Sequence, residues 1–113
     1  SNGPWQLVLN FVRNVDTADI NSAWREGFEK NAGDQLAALQ DRIARLEGYL
    51  QDFVEGSTLT FSHVPGKGTE IVVDETRRGI IEGSDFSAAL ISIWLGEPPN
   101  KELKEGLLGA PCS

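Results

Sequence analysis

The sequence predicts an α+β domain in which helices cover one face of an antiparallel sheet. Two periodicities and one ordering carry this. Apolar residues alternate with polar ones over Trp5–Arg13 and again after Gly56, a period of two that suits half-buried strands. Between them Leu36, Leu39, Ile43, Leu46, Leu50 and Phe53 recur at spacings of 3, 4, 3, 4 and 3, the period of a helix. The resulting order is strand, helix, helix, three-strand meander, helix, helix, which separates strands from helices as α+β folds do.

The first strand places Trp5, Leu7, Leu9 and Phe11 on one face, and Arg13 puts a guanidinium at the rim of that face. Asp16 is placed to cap a helix starting near Thr17, with Asp19 in its first turn against the helix dipole. Ile20, Ala23, Trp24, Gly27 and Phe28 follow at helical spacing. A glycine inside a helix costs about 1 kcal/mol relative to alanine, so Gly27 implies that something large approaches the backbone there. Asn31-Ala32-Gly33 stops this helix and Asp34 is placed to cap the next. The Leu36–Phe53 stripe, about two and a half heptads, is short for a coiled coil and packs on a sheet or on the first helix.

Ser57–Val64 and Thr69–Val73 read as strands joined by Pro65-Gly66-Lys67-Gly68, with Leu59, Phe61 and His63 sharing a face. That loop is a hairpin turn: it lacks the spacing of a phosphate loop and joins two strands. A turn at Asp74–Arg77 leads to a strand over Arg78–Ile81. Ser84 is then read as the cap of a helix with the stripe Phe86, Ala89, Leu90, Ile93 and Trp94, ended by Gly96 and Pro98-Pro99. Asn100 caps a last short helix carrying Leu103, Leu107 and Leu108.

Composition narrows the function. Ten Lys and Arg against 17 Asp and Glu give a formal charge of −7. The basic residues sit apart, which argues against nucleic acid and anionic membrane, whose counterions a basic footprint must displace. No apolar run is long enough for a membrane span. One His and one Cys build no metal site by spacing, no cofactor motif is present, and Cys112 reads as an incidental tail thiol. The 113 residues read as one domain, with 1–4 as a tag remnant or trimmed edge and 110–113 as a flexible tail.

The stretch GIIEGSDFSAALISIWLGEPPNKELKEGLLG, from Gly79 to Gly109, resembles the C-terminal end of the chalcone isomerase family. LVLNFVRNVDTADINSAWREGFEKN resembles the family's strand and first cleft helix, and GSTLTFSHVPGKGTEIVVDETRRGII its hairpin. The likeness runs from Leu7 to Gly109 and points to the bacterial chalcone isomerase-like branch. It implies an open-faced β-sandwich and a cleft for a small apolar ligand. It also implies that the family's N-terminal strands are missing from this sequence, together with the arginine and threonine that position substrate. The family's catalytic tyrosine falls at Asp19 or Ile20, its asparagine near Glu26 and its later hydroxyl at Ile93. Isoleucine cannot orient a phenolate or polarise a ketone. No catalytic residue is therefore assigned.

The ligand-binding candidates are Arg13, Ile20, Trp24, Gly27, Ile93 and Trp94. Trp24 and Trp94 would form apolar walls, and Arg13 would pair with a ligand carboxylate. His63 reads as a structural histidine, since no nucleophile or acidic partner accompanies it in sequence; Glu26 and Glu29 read as solvated. Three readings follow. The first is a non-catalytic domain binding a small apolar ligand such as a fatty acid. The second is an isomerase or intramolecular lyase using other residues. The third is an assembly module, pairing through an open sheet edge with another copy or with the missing strands. The compartment stays open; export is common among such bacterial relatives, so a periplasmic or secreted location fits.

Overall fold

The structure, a computed structural model, describes residues 4–95, with side chains through residue 93. In chain order the elements are β1 (Trp5–Asn10), α1 (Thr17–Ala32), α2 (Leu36–Tyr49), β2 (Thr58–Val64), β3 (Gly68–Val73), β4 (Thr76–Ile81) and α3 (Ser84–Leu95). The strands form one antiparallel sheet in the order β1-β2-β3-β4. This is the α+β architecture expected. The expected last helix, with Asn100, Leu103, Leu107 and Leu108, lies outside the described residues, as do Gly96 and Cys112.

Alternation sets the sheet's two faces. Leu7, Phe61 and Ile71 line up across three strands, and Leu9, Leu59 and Val73 form a second row. All six are buried, and with Ile81 they make the apolar face that the helices cover. The opposite face carries Gln6, Ser62 and Glu70 in one row, with Gln6 Nε2 donating to Ser62 Oγ at 3.0 Å. The first strand ends at Asn10, short of Arg13; Phe11 leaves the ladder and donates its N–H to Ser57 O. Phe11 still stacks face to face with Phe53, centroids 4.3 Å apart.

Several helix ends differ from expectation. Asp16 occupies the cap position of α1 without a side-chain cap bond. Asp52 does the work instead: its Oδ1 accepts from Thr17 N–H and from the Thr17 hydroxyl, both at 2.7 Å. These bonds hold the Asp52 carboxyl below the usual range. Asp34 does not cap α2, because Gly33–Gln35 form a 3-10 turn running directly into it. Helix α2 ends at Tyr49, so Leu50 and Phe53 leave the stripe. Leu50 is extended and Phe53 bridges Val15, yet both are buried. Ser84 is the first residue of α3, and Gly83 takes the cap position, its carbonyl accepting from Ser87 N–H.

Basic residues beside the α2 stripe tie the helix to the sheet's far edge. Arg42 makes a bidentate pair with Asp85, at 2.7 and 3.0 Å, and also donates to Glu82 O. Arg45 reaches Glu82 Oε1 at 2.7 Å and Ile80 O at 3.1 Å. Arg25 on α1 forks onto Glu47 of α2. The Arg42 guanidinium holds the Asp85 carboxyl below its ordinary value.

The sign of that linkage follows directly. Folded Asp85 binds its proton less readily than unfolded Asp85, so its contribution is full above the unfolded carboxylate range. It is lost as pH falls through the folded value. Asp85 is 47% exposed, so solvent screening keeps the contribution below about 1 kcal/mol. Asp85→Asn should therefore lower stability at pH 7 by that modest amount. It should also flatten the acid limb of a urea-denaturation series from pH 7 to 3, and an unchanged slope would count against this linkage.

Candidate functional site

Helix α1 presents Ile20, Trp24, Gly27 and Phe28 to the interior, and α3 presents Phe86, Ala89, Leu90 and Ile93. The two helices meet over the sheet. Trp24 stands edge-on to Phe61 with centroids 5.4 Å apart, and Phe28 stacks on Phe86 at 5.5 Å. Ile20 and Trp24 have no exposed surface, and Ile93 is 1% exposed.

Gly27 shows why this seam is tight. A Cβ built there would lie 3.0 Å from Ile93 Cγ2 and 3.1 Å from Cδ1. The large group expected against the Gly27 backbone is thus Ile93. Of the six candidates, Gly27 and Ile93 meet directly in the α1–α3 seam, and Ile20 and Trp24 are buried on α1 beside them. Arg13 does not join them: it is exposed in the segment between β1 and α1. Trp94 belongs to α3, but its side chain lies outside the described residues. The seam's described side chains are hydrocarbon apart from the Trp24 indole, so it offers surface to an apolar partner.

A polar cluster escaped the sequence reading. His63 Nδ1 lies 2.9 Å from Ser87 Oγ, and Ser87 Oγ shares a second hydrogen bond with Thr69 Oγ1. All three residues are buried. His63 faces Thr69 across the β2–β3 hairpin, a pairing the turn length implies. Ser87 arrives from α3, 24 residues on, and no local pattern marks it. Trp5 stacks on the imidazole at 5.8 Å. Among the described residues no group of His, Cys, Asp and Glu is placed to hold a metal ion, and no helix is long and apolar enough to cross a membrane.

A four-stranded antiparallel sheet with one face under a helix layer, closed by an apolar seam, defines an α+β domain of open-faced type. The chain belongs to the chalcone isomerase-like family, whose model matches residues 2–109. In fold it is similar to the crystal structure of a fatty-acid binding protein from Arabidopsis thaliana, with a TM-score of 0.67 and 18% sequence identity. The match covers 93% of this chain and 55% of that one, so the chain spans about half the length of that structure. No curated protein matches the chain in sequence.

The Gly27–Ile93 contact has a measurable signature. Gly27→Leu should overpack the seam and cost about 1–3 kcal/mol in urea denaturation. Adding Ile93→Ala should open space for the leucine. The double variant should then lose less than the sum of the single losses, by more than about 0.5 kcal/mol; strict additivity would mean that the two positions do not touch.

Proposed function

We propose that this chain is a non-catalytic chalcone isomerase-like domain that binds a small apolar ligand of the fatty-acid class along the α1–α3 seam. The observation that carries the reading is the seam's chemistry: Ile20, Trp24 and Ile93 are buried apolar side chains. The family resemblance puts the catalytic tyrosine at Asp19 or Ile20 and the later hydroxyl at Ile93. The likeness to a fatty-acid binding protein supports the ligand class. Binding requires α1 and α3 to part at Gly27, where the absence of a side chain leaves no interlocking knob on α1.

Energetics set a chain-length threshold. Separating Ile93 from its partners costs about 1.5–3 kcal/mol, and each buried methylene returns about 0.8 kcal/mol. Roughly four methylenes offset the opening, and only longer chains bind with surplus. Arg13, on the exposed segment before α1, is proposed to meet the ligand carboxylate there.

A fluorescent acyl probe should therefore bind saturably and be displaced by dodecanoate but not by butyrate. Butyrate competing as well as dodecanoate, or no saturable probe binding, would overturn the reading. Chalcone absorbance should stay constant over hours with the protein; its loss would favour the enzymatic alternative.

One observation favours a second reading, self-association. On the sheet face away from the helices, Val8, Val64, Val72 and Ile80 are only half-buried. Covering them with a second copy would give a concentration-dependent mass in light scattering, and a constant monomer mass would remove this reading.

A further inference from the structure

A cavity of about 280 Å³ opens at the end of the sheet where the β2–β3 turn meets the β4–α3 junction. Its wall is His63, Gly66, Lys67, Gly68, Glu82, Gly83 and Ser84. Gly68 is what brings the turn this close: its φ is +131°, and a Cβ there would run into the Ile81 carbonyl. We propose that this cavity is an anion site, distinct from the apolar seam, that takes a compact oxyanion, a carboxylate or a phosphate group.

Three donor-bearing residues line it. The first is His63, which is 6% exposed. Its Nδ1 is committed inward to Ser87, so the ring edge left for the cavity carries Nε2, which meets no hydrogen-bond partner among the described residues. The buried chain behind the ring governs what Nε2 presents. If Thr69 donates to Ser87 and Ser87 donates to Nδ1, the ring proton sits on Nε2 and points outward. If Nδ1–H donates to Ser87 and Ser87 to Thr69, Nε2 carries only a lone pair. An oxyanion selects the first arrangement.

The second donor is the Lys67 ammonium, exposed at the turn and in no ion pair with any described residue. The third is the start of α3 at Ser84, with its hydroxyl and N–H; further along the turn, Phe86 N–H is taken by Asp85 Oδ1 and Ser87 N–H by Gly83 O. The carboxylate in the wall, Glu82, is engaged by Arg45 at 2.7 Å, and Asp85 by Arg42 at 2.7 Å. Those pairings engage both carboxylates, leaving the Lys67 ammonium in the wall without an ion-pair partner among the described residues.

The chain's one histidine makes the site directly observable, because its ring signals need no assignment. ¹H–¹³C NMR of the full chain would follow them during titration with inorganic phosphate and, separately, acetate, with chloride holding ionic strength constant. The expected result is saturable displacement of the His63 ring signals by at least one oxyanion, and the one that saturates identifies the class. Lys67→Gln, a change at an exposed turn position, should weaken that binding by about threefold or more, as loss of a charge-assisted hydrogen bond requires. No saturable displacement by either oxyanion overturns the proposal, and so does binding that Lys67→Gln weakens by less than about threefold.

Discussion

The burial of one face of the sheet is the constraint that organises this domain. Leu7, Leu9, Leu59, Phe61, Ile71, Val73 and Ile81 all point the same way, because alternation along antiparallel strands leaves no other outcome. Such a face must be covered, and fully burying each large side chain contributes about 1.5–3 kcal/mol. Helices α1 and α3 supply the cover with Trp24 over Phe61 and Phe28 against Phe86. The seam at Gly27 and Ile93 is where that cover closes. Its apolar character follows from its position over the sheet, so the part of the fold that stabilises it is also its candidate ligand surface.

Ion pairs then fix the helices laterally. Arg42 and Arg45 sit one turn apart on α2 and reach Asp85 and Glu82 on either side of the β4–α3 junction. Exposed pairs of this kind add little stability singly. Their effect here is positional: they hold the start of α3 against α2 and engage Glu82, the carboxylate in the wall of the cavity beside His63.

Much of this was legible in the residues. Strand alternation identified the buried face, and the family's sequence pattern identified the helices that flank the seam. Gly27 announced a close neighbour, although only the fold could name Ile93. Periodicity failed where burial and backbone path diverge. Leu50 and Phe53 keep helical spacing with Leu46, yet they are buried by an extended segment that bridges back to Val15. The spacing reported that these side chains go inside, and it was silent on the route. The polar cluster was illegible for a related reason. His63 and Thr69 are related by hairpin register, whereas Ser87 is brought to them only when α3 docks on the sheet.

The Asp52 clamp couples two distant parts of the chain. The carboxylate that caps Thr17 arrives 35 residues later, from the segment after α2. A cap of this kind stabilises a helix end, so the start of α1 is stabilised by a residue that belongs to neither helix. Any change that displaces the Leu50–Phe53 segment therefore also loosens the first turn of α1.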